Sequence, residues 1–187
     1  MNKLKKGAVG VTAAGVVLVA MFEGFAPEAM QPLPGDKWTI GFGHTAGVEE
    51  GDTITVEEAL DLLHKDLAGV EKTINRHVKV PLLQCQYNAL ASFVYNIGAA
   101  NFVSSSLLEA LNRLDYAEVD RQWMRWKYFK GKPVKGLENR RAREVAVFHG
   151  EPVVKSGDSV CFGSGLCVSY DALVQERTSG PDGAEAG

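Results

Sequence analysis

The sequence predicts an α+β fold that is predominantly α, a set of helices with one small β element near its start. Two observations carry this. From Thr55 to Phe148, apolar residues recur at helical spacing between recognisable start and stop signals. By contrast "KWTIGFGH", residues 37–44, is β-branched and aromatic with Gly41 and Gly43, which reads as a short hairpin. The length of 187 residues suffices for one domain with a real core. A hydrophobic share of 45% with 23% charged residues is that of a globular chain.

The first element is unusual. Lys3, Lys5 and Lys6 precede an uncharged run, Gly7 to Phe22. That run has 16 residues, short of the roughly 20 that span a bilayer comfortably. A signal peptide cleaved after Ala20 would have Leu18 at −3, a poor site. A permanent anchor would carry more Leu and Ile. The Gly and Ala content best fits a marginal anchor that enters the membrane and can leave, with the lysines kept cytoplasmic and the rest sent outward. The run also reads as a buried first helix holding Val17, Leu18 and Met21, and it can be both in turn. Leucine at Gly10 and Gly15 is therefore expected to keep the run in the bilayer without changing the folded domain's chemistry.

"APEAMQPLPGD" follows as a Pro-rich loop, then the hairpin. Thr55-Val-Glu-Glu58 is a capping box. Behind it Val56, Leu60, Leu63, Leu67, Val70 and Ile74 share a helical face, and Pro81 closes the region. A helix over about 82–97 carries Leu83, Tyr87, Leu90, Val94 and Ile97 and stops at Gly98. The serines at 104–106 can cap a helix with Leu107, Leu108 and Leu111, and Asp115 the next, with Val119, Trp123 and Trp126. A last helix, about 137–148, buries Val145 and Phe148. The C-terminal "ERTSGPDGAEAG" reads as disordered.

Charge and cysteines narrow the function. A net charge of −3 gives no overall basic field, so no nucleic-acid partner is expected. The basic stretch Arg121 to Arg143 suits a locally anionic polymer or a solvated helix face. Three cysteines are too few for a disulfide scaffold, and no His or Cys cluster has zinc spacing. Cys161 and Cys167 flank a short loop with two glycines and can form a disulfide, which implies an oxidising compartment. Cys85 lies in a helical pattern and packs as a small hydrophobe. Neither a metal nor another cofactor is called for.

Glu23, at the end of an apolar run, is by itself only a helix-boundary carboxylate. Its partners change that. Thr39 puts a hydroxyl near the loop, and Arg140, in "GLENRRARE", offers a guanidinium that could hold a partly buried carboxylate. The blocks "FEGF", "WTIGFGHT", "ALASFVYNIGAANF" and "KGLENRRAREVAVF" stand in an order that resembles the phage lysozymes, the muramidase endolysins, from about Phe22 to His149. The Lys-flanked N-terminal run resembles the signal-anchor-release endolysins, which are exported tethered and inactive and wake when the anchor leaves the membrane.

The resemblance implies a lysozyme-like fold, with a small N-terminal hairpin lobe, a helical lobe and the sugar chain between them. It implies hydrolysis of the β-1,4 bond between N-acetylmuramic acid and N-acetylglucosamine. Peptidoglycan strands would be the partner, reached by a monomer first held at the host inner membrane and then released to the periplasm. Three segments follow: 1–22 as anchor or first helix, 23–150 as catalytic domain, 151–187 as an extension. Glu23 matches the family's acid and Thr39 its water-positioning threonine. Arg140 matches the arginine beside the acid. Asn96 matches a polar cleft residue, or else serves as a helix-end hydrogen bonder. His44 ties the hairpin to the body.

One departure stands out. The family's usual Asp or Cys, nine positions after the Glu and six before the Thr, falls here on Pro32 or Leu33, because this loop is one residue longer. Asp36 is the candidate second carboxylate; "PGD" is also good turn chemistry for it. Without a second carboxylate, a lytic transglycosylase on the same bond competes with hydrolysis. A wall-binding or lysis-control protein that kept the scaffold is the non-enzymatic alternative.

Overall fold

The computed structural model describes residues 10–31, 33–154, 157–162 and 166–171. The chain divides into two units. A helical unit comprises the residues up to Gly15 with Leu67–Pro152, and a β unit comprises Val16–Asp66 with the residues from Val153 on. The Lys3–Lys6 flank of the N-terminal run, Pro32 and the segment 176–187 read as disordered lie outside the described residues.

Helix α1 spans Ala13–Ala20. Its start belongs to the helical unit and is tied down there by side chains. Glu71 Oε1 accepts from Val11 N at 2.6 Å, Asn88 Oδ1 from Thr12 N at 3.2 Å, and Gln84 Nε2 donates to Gly10 O at 2.9 Å. Glu71 and Asn88 thus satisfy backbone donors ahead of the helix start, and Gln84 satisfies a carbonyl. Val16 to Ala20 are fully buried, and Met21 is half-buried. Leucine at Gly15, expected to leave the folded domain's chemistry unchanged, does not fit this packing without a shift. A Cβ there would stand 2.6 Å from both Asn88 Oδ1 and Val11 Cγ1.

In the helical unit, α3 covers Ala68–His77, α4 Gln84–Ile97, α5 Ala99–Val103, α6 Ser106–Asn112, α7 Tyr116–Trp123 and α8 Lys135–Phe148. The predicted caps are present. Ser105 Oγ accepts from Leu108 N, Asp115 Oδ1 from Glu118 N, and Gly98 ends α4 at φ 85°. Helix α4 packs on α8, and α6 on α7. Phe93, Trp123 and Phe148 form a tilted and edge-on aromatic cluster at 4.9 and 5.3 Å between centroids, all three buried. On α8, Val147 is buried with Phe148, while Val145 is only half-buried. A small hairpin, β3 Tyr128–Phe129 with β4 Lys132–Pro133, leads into α8.

In the β unit, the hairpin read over 37–44 is redrawn. The longer strand, Ala26–Met30, lies in the segment taken for a Pro-rich loop; it is β1 here. It pairs antiparallel with β2, Thr39–Gly41, in the register Ala26↔Gly41 and Met30↔Thr39. The last residues of the predicted hairpin form a tight turn instead, in which Ile40 and His44 exchange backbone hydrogen bonds. Helix α2, Val56–Asp66, starts at the predicted capping box. Glu58 Oε2 accepts from Thr55 N at 2.9 Å, and Thr55 Oγ1 accepts from Glu58 N at 3.2 Å. The run read as one helical pattern from Val56 to Ile74 is interrupted at Leu67, where α2 gives way to α3. Gly41, at φ 62°, lets β2 approach α2, since a Cβ would meet that of Ala59 at 2.9 Å.

Past 150, in the segment expected as an extension, described residues from Val153 on belong to this unit. Strands β5, Ser159–Phe162, and β6, Leu166–Ser169, pair antiparallel with Cys161 directly opposite Cys167, and the two form the expected disulfide. Phe162 is fully buried with its ring 5.1 Å from that of Phe42, which also meets Phe25 at 5.4 Å. Cys85, in the helical unit, is a half-buried free thiol.

Candidate active site

Glu23, Asp36, Thr39 and His44 lie in the β unit; Asn96 and Arg140 lie in the helical unit. Glu23 follows the fully buried end of α1. Its backbone N–H donates to Ala20 O at 3.2 Å, so the last turn of α1 carries it, and its side chain is half-buried. Gly24 and Phe25 then lead into β1. Thr39 opens β2 opposite Met30, half-buried, with Oγ1 donating to Lys37 O at 3.2 Å. One strand pair therefore fixes the chain on both sides of the loop that separates Glu23 from Thr39.

Asp36 is engaged as a turn residue. Its Oδ2 accepts from Leu33 N at 3.1 Å, its own N–H donates to Leu33 O at 3.0 Å, and Gln31 Nε2 donates to its carbonyl at 2.9 Å. Of its two readings from sequence, this is the turn chemistry. His44 is bonded to α2 and to its own loop. Nδ1 lies 2.8 Å from the Asp66 carboxylate at the end of α2, and Nε2 lies 3.0 Å from Ala46 O.

In the helical unit, the observed feature that sequence reasoning missed is the charge buried on α8. Arg140, Arg141 and Glu144 are buried, the last two completely. The Glu144 carboxylate accepts from Ser92 Oγ at 2.7 Å, Trp123 Nε1 at 2.9 Å and Arg140 Nε at 3.1 Å, and pairs with Arg141 Nη1 at 3.2 Å. Arg140 Nη2 also donates to Ser92 O at 3.1 Å. Arg141 lies with its guanidinium 5.0 Å from the Phe93 ring centroid and donates to Oδ1 of the exposed Asn96. Burial pulls the Arg141 guanidinium down to about 10 against the opposing pull of Glu144, so it stays charged at neutral pH. The signal in the sequence is the spacing: Glu144 stands three and four positions after the two arginines, on one helix face.

Asn96 is thus held by Arg141, and Arg140 is oriented in part by Glu144. Among the described residues, no cluster of His, Cys, Asp and Glu is arranged to hold a metal ion.

Comparison with known proteins places the chain. The model of the Phage lysozyme family matches residues 20–144. That stretch holds Glu23, Asp36, Thr39, His44, Asn96 and Arg140, and it stops short of the disulfide. The chain is 42% identical over 142 residues to the endolysin of Acyrthosiphon pisum secondary endosymbiont phage 1, covering 74% of this chain and 97% of that protein. It is 43% identical over 114 residues to the SAR-endolysin of Enterobacteria phage PA-2, covering 59% of this chain and 69% of that protein. The crystal structure of a P22 lysozyme mutant superposes with a TM-score of 0.71 at 34% identity, covering 76% of this chain and all of that one.

Proposed function

The chain belongs to the phage lysozyme family, and on that footing we propose that it is an endolysin that cuts peptidoglycan and lyses the host cell. The bond is the β-1,4 link between N-acetylmuramic acid and N-acetylglucosamine. Glu23 is the general acid that protonates the leaving oxygen, and the Thr39 hydroxyl positions the water on the other side of the sugar. Asn96 and Arg140 take supporting roles by their places in the family's motif order. The observation that carries the reading is the setting of Glu23, half-buried on the last turn of a buried helix and joined to Thr39 through one strand pair. Asp36 holds the intervening turn.

Glu23→Gln keeps the shape of the side chain and removes its proton. It should leave the fold intact and lower lysis of purified walls by about 100- to 10,000-fold. Near-parental activity of the folded variant would end the assignment. The turn role of Asp36 is the specific observation that favours a second reading, the lytic transglycosylase, which needs no second carboxylate. A reducing end in the product supports hydrolysis, and a 1,6-anhydro end supports transglycosylation.

The N-terminal run acts as a releasable anchor, inserted in the inner membrane first and packed as α1 later, with release to the periplasm. Its Lys-flanked, Gly/Ala-rich composition supports this, as do the SAR-endolysins among its relatives. No helix among the described residues is long and apolar enough to cross a membrane. Full-length protein should move from the membrane fraction to the soluble fraction when the membrane potential is collapsed. Retention in the membrane fraction, or cleavage after Ala20, would refute the release.

A further inference from the structure

The hairpin between α7 and α8 stands apart from the rest of the surface. Residues 125–135, "RWKYFKGKPVK", carry five cations and no acid in a chain whose net charge is −3. Residues Tyr128 to Gly136 are all exposed, including Tyr128 at 54%, Phe129 at 62% and Val134 at 38%. The turn is tight. Lys130 at φ 48° and Gly131 at φ 77° form a two-residue link with both residues left-handed, the type that matches the twist of short hairpins. It sets Phe129 across from Lys132 and Tyr128 across from Pro133.

Among the described residues, the charges at the tip are not neutralised. Lys127 and Lys135 pair with Glu138 at 3.0 and 3.1 Å, whereas Lys130 and Lys132 make no ion pair among the described residues. Lys130 Nζ lies 5.5 Å from the Phe129 ring centroid, so cation and aromatic face occupy one spot. An aromatic side chain this exposed gives up apolar burial, and unpaired lysines on a near-neutral protein look outward for an anion. Residues 127–135 contain no Asp, Glu, Asn or Gln to hydrogen-bond sugar hydroxyls. Aromatic rings that sit at the headgroup level, with lysines beside them meeting phosphates, are the chemistry of a lipid interface.

We propose that the Tyr128–Pro133 hairpin is a membrane-contacting finger that docks on an anionic phospholipid surface, with Phe129 and Tyr128 entering the headgroup layer and Lys130 and Lys132 meeting lipid phosphates. This contact is separate from the N-terminal run and does not depend on the muramidase reading. It would keep the folded enzyme beside the inner membrane, next to the wall layer within reach.

The test uses the full chain and a reporter at the tip, so that the N-terminal run cannot supply the signal. Phe129→Trp adds one indole to the three already present, and its emission is read against the parent. With vesicles of phosphatidylglycerol and phosphatidylethanolamine, the added emission should shift to the blue and be quenched by brominated acyl chains. Lys130→Ser with Lys132→Ser in the same background should weaken the tip's contact about 30-fold, from two charges near an anionic surface. Vesicles of phosphatidylcholine alone should leave the added emission unchanged. Three results would overturn the proposal. One is an unquenched added indole while the chain itself sediments with the vesicles. Another is equal quenching on neutral lipid. The third is a shift caused by purified wall sacculi or an oligonucleotide and not by vesicles, which would assign the finger to a polymer.

Discussion

Adding a single methyl group at Gly15 tests how tightly the N-terminal segment is docked. In Gly15→Ala the new Cβ stands 2.6 Å from Asn88 Oδ1, 2.8 Å from Asn88 Cγ and 2.6 Å from Val11 Cγ1. Asn88 cannot swing away cheaply. Its Oδ1 accepts from Thr12 N at 3.2 Å and Gln84 Nε2 at 3.1 Å, and its Nδ2 donates to Thr12 Oγ1 at 2.8 Å. Overpacking of this kind costs about 1–3 kcal/mol. Each hydrogen bond lost adds about 1 kcal/mol. The better helix propensity of alanine returns about 1 kcal/mol. The sum is a loss of about 2 kcal/mol, which moves a urea midpoint down by about 1 M at an ordinary slope. Gly69→Ala is the control, because a Cβ there meets nothing within 4 Å in α3. Urea unfolding followed by circular dichroism should separate the two variants in opposite directions. A Gly15→Ala protein as stable as its parent would show that α1 is not held at Asn88 as described.

Glu144→Gln removes the counter-charge of two buried arginines without changing size, and should cost about 3–5 kcal/mol in urea unfolding; a loss below about 1 kcal/mol would deny the network its role. Asp36→Asn keeps an oxygen for Leu33 N, so wall lysis should stay near the parental rate; a fall of about 100-fold would make Asp36 the water-side carboxylate. Glu58 is held below the ordinary carboxylate value by its bonds from the Thr55 N–H, first, and the Thr55 hydroxyl. A depressed carboxylate stabilises the fold above its unfolded value and loses that contribution as pH falls through its folded value. Glu58→Gln should therefore flatten the acid limb of the stability profile below about pH 4.5, and an unchanged limb would refute the linkage.

What the sequence made legible is mostly local. The Thr55–Glu58 box, the Asp115 cap, the serine cap and the Gly98 stop each depend on residues within one turn, and each stands where the pattern put it. Strand β1 was not legible, because Ala26-Pro27-Glu28-Ala29-Met30 has neither alternation nor β-branched residues. It is a strand by virtue of partners elsewhere: β2 on one side, and on the other Ala29 N and Ile54 N donating to Asp52 O and Pro27 O. The acid and hydroxyl of the candidate site, Glu23 and Thr39, were marked by motif order. Arg140 was legible as a guanidinium for a partly buried carboxylate, and the basic stretch as a solvated face or a surface for an anionic polymer; only packing around Trp123 and Ser92 makes Glu144 a buried hub. Gly15 read as a device to weaken a membrane anchor; its contact with Asn88 belongs to the folded state and leaves no local trace.

The β unit is assembled from two stretches far apart along the chain, Val16–Asp66 and the residues from Val153 on, with Leu67–Pro152 between them. A ribosome delivers these in order. The helical unit has nearly all its residues in one uninterrupted stretch, so its contacts close over shorter loops and form at less entropic cost. Phe42, made early, has no Phe162 beside it until the chain has grown through the whole helical unit and into β5. The unit that holds Glu23 and Thr39 is therefore the last to be finished, and the Cys161–Cys167 hairpin is the piece that finishes it. The core around Phe42 therefore lacks one aromatic wall until Phe162 has been made.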